Sequence, residues 1–108
     1  MKAQKFTKEL QKYTGTYMDF KSFISKVDNI DLTRIRIRVI KYEGRFKQFF
    51  RNIGMELDVT FIPRNVICYD YVIKRGSIII IKGVYGTYKK ALQAGIIKTF
   101  EYLENQKS

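Results

Sequence analysis

Apolar and polar residues alternate along this chain with two periods, and the switches between them outline its elements. From residue 3 to 13, Phe6, Leu10 and Tyr13 fall on one side of a helix. Thr14-Gly15-Thr16 interrupts it. Thr16 is placed to start a second helix, with Asp19 at capping-box spacing and Phe20, Phe23, Ile24 and Val27 as its apolar stripe. Asp28-Asn29 ends that helix. From Thr33 to Tyr42 the period drops to two, which predicts a strand with Ile35, Ile37 and Val39 inward and Arg34, Arg36 and Arg38 outward. Phe46, Phe49, Phe50 and Ile53 return to helical spacing; a short helix and a second hairpin strand both fit Phe46–Ile53. Met55–Ile62 alternates again, with Leu57, Val59 and Phe61 inward and Glu56, Asp58 and Thr60 outward. Val66–Ile73 is a third strand, and Lys74-Arg75-Gly76 turns it into a fourth.

The stretch from Ser77 to Leu103 organises the rest. Ile78–Ile81 are four consecutive β-branched residues, suited to a central strand. Gly83 and Gly86 bracket a turn, and Thr87 is the expected N-cap of a closing helix. Tyr88, Leu92, Ile96, Phe100 and Leu103 form its apolar face. Ala91 and Gly95 beside that face let the helix axis approach a sheet. The expected fold is α+β: a mainly antiparallel four-stranded sheet, with N-terminal helices and the closing helix on one face and the arginine ladder on the other. The expected core is Phe20, Phe23, Ile24, Ile35, Ile37, Val39, Leu57, Val59, Phe61, Ile79, Ile81, Leu92, Ile96 and Leu103.

Composition narrows the function. With 108 residues, the chain reads as one small domain over 1–108. Twenty-one Lys and Arg against ten acids give +11, with a pI near 9.8. That excess favours polyanionic partners, nucleic acid first. There is no apolar run long enough to span a membrane and no apolar leader stretch, so a membrane is not an expected partner. The single cysteine, Cys68, excludes an internal disulfide and fits a reducing host-cell interior, or a virion.

Little in the chain suggests catalysis. Histidine is absent, as are the phosphate-binding, nucleophile-elbow and zinc-protease motifs, so no cofactor is expected. Glu56, Asp58 and Asp70 with Lys74 are the only constellation that could hold Mg²⁺, and acids facing an arginine ladder are also ordinary charge balance.

The candidate contacts are therefore cationic. Arg34, Arg36 and Arg38 would stand about 7 Å apart on one strand face, similar to the spacing of phosphates along a duplex strand. The same ladder could instead pair with Glu56 or Asp58. Lys74 and Arg75 form a basic turn, and Lys82 follows the isoleucine run. Lys89 and Lys90 sit in the first turn of the closing helix, against its macrodipole, while Glu101 and Glu104 sit towards the other end. Solvent screening makes that reversal cheap; an anion held at the helix start would make it useful.

Two resemblances follow. The final segment, Tyr85-Gly-Thr-Tyr-Lys-Lys-Ala-Leu-Gln-Ala-Gly-Ile-Ile-Lys-Thr-Phe-Glu-Tyr-Leu103, resembles the ending of many small uncharacterised proteins of gut Bacteroidetes and their phages, which close with a Tyr-x-x-Ala-Leu-x-x-Gly-Ile type helix. It implies a phage or mobile-element origin and no activity. Gly83, Gly86, Thr87, Lys89, Ala91, Ala94 and Leu103 fall where double-stranded-RNA-binding domains have a glycine turn and a lysine-led closing helix after three strands. That likeness implies phosphate contacts by Lys89 and Lys90. Two N-terminal helices where the family has one, the additional Phe46–Ile53 segment, and Ile96, Ile97 and Phe100 in place of alanines depart from it.

The expectation is thus a non-enzymatic accessory protein that binds nucleic acid, double-stranded favoured, through its backbone and with low sequence specificity. The alternative is a protein–protein module, such as a virion component or an inhibitor of a host nucleic-acid-binding or defence protein.

Overall fold

The computed structural model describes residues 2–31, 37–63 and 68–107. The elements run α1 (Lys2–Gln11), α2 (Thr14–Asp28), α3 (Glu43–Asn52), β1 (Met55–Ile62), β2 (Cys68–Arg75), β3 (Ile78–Tyr85) and α4 (Tyr88–Gln106). The fold is α+β. Among the described residues the sheet is antiparallel, in the order β1-β2-β3. α4 lies across all three strands, α3 packs on β1, and α1 and α2 pack on the helix layer.

Phenylalanine dominates the core. Phe6, Phe20, Phe46, Phe49, Phe50 and Phe100 are all buried. Phe20 and Phe46 stack with centroids 4.1 Å apart, and Phe100 meets both edge-on. Phe46–Asn52 therefore lies in a helix with its aromatics turned inward, and Ile53 is its exposed C-cap. Glycine sets how closely α4 approaches the sheet. A Cβ on Gly95 would lie 2.6 Å from Leu57 Cδ1, and one on Gly83 would lie 2.5 Å from the Tyr71 ring. Tyr71 thus fills the space between strand and helix that these two glycines leave open.

The expected strand over Thr33–Tyr42 is corrected in its second half; residues 32–36, with Arg34, Ile35 and Arg36, lie outside the described residues. Tyr42 N donates to the Arg38 carbonyl (3.0 Å) and Glu43 N to that of Ile40 (3.3 Å). These local bonds wind the chain into α3 and occupy groups that a β ladder would need. The alternation still places side chains correctly, since Ile37 and Val39 are buried and Arg38 and Ile40 exposed. Arg38 accordingly stands on a turn and not on a sheet face.

Two expected core residues are exposed. Phe61 is 50% exposed, because the row Phe61–Tyr69–Tyr85 lies one step beyond the Val59–Tyr71–Gly83 row on which α4 rests. Ile79 is 59% exposed because the register shifts between Ile73 and Lys74. Ile81 pairs with Ile73 and Ile79 with Lys74, so the skipped Ile80 packs against the core instead. Phe23 and Val59 are half-buried at the core's margin. The side chain of Ile81 lies outside the description.

The Thr16–Asp19 capping box does not form. α2 begins earlier, at Thr14, and its first amides are capped from α4.

Candidate nucleic-acid interface

The start of α4 is built as its sequence requires. Thr87 is extended (φ −136°), and its hydroxyl accepts from Lys90 N at 3.1 Å. Tyr88 anchors this turn to α3: its hydroxyl donates to Glu43, which also pairs with Lys47 Nζ at 2.9 Å. Burial, then the hydrogen bond and charge of Glu43, push the Tyr88 phenol up to about 12. Burial opposes ionisation of Glu43, but the Tyr88 hydroxyl and the Lys47 ammonium outweigh it and hold the carboxyl below its ordinary value. The phenol therefore stays a donor at neutral pH and the carboxylate stays an acceptor.

Two open grooves flank this turn, of about 480 and 650 Å³, and they meet at Phe6, Lys89 and Gln93. The first brings in Arg38 and Lys41 from the turn before α3. The second brings in Lys5 from α1, and Lys90. Five cations from three separate segments converge here. The acid in the grooves, Glu9, is paired with Lys12 at 3.0 Å. Among the described residues, no carboxylate lies within ion-pair distance of Lys5, Arg38, Lys41, Lys89 or Lys90. Cations gathered in this way repel one another, and a polyanion in the groove would remove that repulsion.

The structure divides the other candidates. Arg34 and Arg36 lie outside the described residues. Lys74 stands opposite Glu56 in the ladder, and Arg75 Nη1 donates to the Tyr102 hydroxyl at 3.3 Å, near the end of α4. Both sit where β3 begins, whereas Lys89 and Lys90 follow where it ends, so eight strand residues, roughly 25 Å, separate the two groups. Lys82 lies within β3, opposite Val72, and its side chain is outside the description. Arg38, Lys89 and Lys90 are therefore brought together, and Lys74 and Arg75 are not among them. Lys5 and Lys41 were missed. Lys5 precedes the core residue Phe6 in a legible helix, but nothing local shows that this helix crosses the start of α4.

The far end of α4 is closed. Glu104 accepts from Thr16 N (2.8 Å), Thr16 Oγ1 (2.9 Å) and Gly15 N (3.2 Å), and so caps α2 in place of a local residue. The backbone and hydroxyl bonds from Thr16, aided by the bond from Gly15 and the charge of Lys107, outweigh the opposing effect of burial and hold its carboxyl below the ordinary range. Lys107 pairs with Asp19 at 2.6 Å.

The Mg²⁺ constellation does not assemble. Glu56 faces Lys74, Asp58 faces Val72 and Asp70 faces Thr60 in the ladder. Among the described residues, no three acidic, thiol or imidazole groups are grouped to hold a metal ion. The Cys68 thiol is partly buried and donates to the Ile62 carbonyl at 3.7 Å. No described helix is long and apolar enough to cross a membrane. No protein-family model matches the chain, and no curated protein matches its sequence.

Proposed function

We propose that the protein is a non-enzymatic accessory protein, of phage or mobile-element origin as its closing helix implies, that binds the phosphate backbone of nucleic acid with low sequence specificity. The observation that carries this reading is the convergence of Lys5, Arg38, Lys41, Lys89 and Lys90 on two adjoining open grooves, none with an acidic partner among the described residues. Repulsion within the cluster and the unfavourable first-turn lysines both favour an anionic ligand. The element order adds support. α3, three antiparallel strands and α4 with its leading lysines follow the order of double-stranded-RNA-binding domains, so the additions to that pattern are α1 and α2. Low specificity follows from binding through phosphates, which every sequence shares.

The test is a gel-shift series with double-stranded DNA, double-stranded RNA and single-stranded DNA at two salt concentrations. Binding should weaken steeply with salt. Arg38→Ala/Lys89→Ala/Lys90→Ala should flatten the slope of log K against log salt on B-DNA by about 0.9 for each phosphate that is no longer neutralised. A slope that the triple variant leaves unchanged would remove the groove from the interface. A protein–protein module is the second reading, favoured by Ile78, Ile79 and Val84, all exposed on β3, the outer strand of the order β1-β2-β3 among the described residues. It requires that oligonucleotide binding be absent, or insensitive to salt.

A further inference from the structure

We infer that Phe61 is a stacking platform for an unpaired base, so that the nucleic acid held by the groove carries unpaired nucleotides beside the phosphates it contacts. This role rests on the proposed backbone-binding function and names the form of its ligand.

Phe61 has the inward parity of β1, as do Met55 and Leu57, yet half of its surface is open. The ring is held in place. Its centroid is 5.4 Å from that of Tyr69, edge-on at 63°, and Tyr69 is in turn 5.9 Å from Tyr88, edge-on at 87°. Tyr88 is fixed by Glu43 and immediately precedes Lys89 and Lys90 in the groove. A run of three aromatic rings therefore leads from the cationic cluster to an exposed phenyl ring at the same end of the sheet. Phosphate-binding cations beside an open aromatic ring are the combination by which proteins hold single strands, since every base offers a π-face. Bases stacked inside a continuous duplex cannot meet such a ring; those of a single strand or an overhang can. Matching a duplex by arginine spacing would need an unbroken strand through Arg38, and residues 37–42 are coil and turn.

The experiment uses oligonucleotides carrying 2-aminopurine, either in a single-stranded overhang or at the centre of a blunt duplex. The wild-type protein should quench the overhang probe and leave the central one unchanged. Phe61→Ala should abolish the quenching and weaken overhang binding about fivefold or more, in line with the usual size of base–aromatic stacking. It should bind the blunt duplex as the wild type does, with the same salt slope. Phe61→Trp should restore quenching, which separates stacking from a folding defect. Salt-dependent binding with no quenching, and with Phe61→Ala equal to wild type on both probes, overturns the stacking role and leaves the backbone reading standing. No salt-dependent binding to either probe overturns both.

Discussion

The two ends of α4 carry charges of the wrong sign for their own helix, and they resolve the conflict differently. At the C-terminal end, Glu104 opposes the α4 dipole but lies at the N-terminus of α2, where it accepts three hydrogen bonds. What is unfavourable for one helix is favourable for its neighbour. At the N-terminal end, Lys89 and Lys90 have no such neighbour among the described residues. Lys5, Arg38 and Lys41 add charge of the same sign around the same grooves. A reversed charge satisfied inside the fold thus reads as structure, and one left unsatisfied in an open groove points to a ligand.

The largest expected effect breaks both ends together. Leu92 is fully buried in α4, the helix that packs on all three strands and on α1 and α2, so Leu92→Ala should destabilise the protein by about 2–5 kcal/mol in urea unfolding. A loss below about 0.5 kcal/mol would mean that α4 does not hold the two layers together.

The next change separates the ends. Lys89→Glu/Lys90→Glu places acids at the positive end of the helix and should stabilise the protein by about 0.5–1.5 kcal/mol. Oligonucleotide affinity should fall at the same time, because functional sites often retain residues that are locally unfavourable. Lys26→Glu/Lys98→Glu makes the same change in net charge outside the grooves and serves as the control. Equal loss of binding in the two double variants would reduce the site to a diffuse basic surface.

The smallest effect is a pH dependence at the closed end. The folded pKa of Glu104 lies below its ordinary 4.5, so its contribution is complete above that value and is lost as pH falls through the lowered one. Glu104→Gln should melt lower than wild type at neutral pH, and the gap should narrow as the solution is acidified below 4.5. Its affinity for oligonucleotides should stay at the wild-type level. A gap that is constant with pH would show that the loss does not come from the carboxylate's charge, and the absence of any gap that the amide caps α2 as well as the carboxylate does.

The elements themselves were legible in the chain, because period and punctuation are local. Phe20 and Ile24 of the α2 stripe, the Thr87 cap and the apolar face of α4 stand where the sequence predicts them, whereas Val27 is exposed and Lys74 and Arg75 belong to β2, which leaves the turn to Gly76-Ser77. The inward placement of Ile37 and Val39 is also as predicted, although the described residues 37–42 are coil and turn. What the local pattern could not contain was which groups meet. A strict alternation became turn at residues 37–42 because the carbonyls of Arg38 and Ile40 were taken by the winding into α3. Phe61 and Ile79 were left exposed by the reach of α4 and by a one-residue register shift, both set by partners distant in sequence. The basic site followed the same rule. The net charge and the lysines of α4 could be read directly, whereas the convergence of Lys5, Arg38 and Lys41 upon them depends on how α1 and the turn before α3 pack against the start of α4. Hydrophobic period acts within a few residues; the meeting of charges is decided only when those faces are buried against one another.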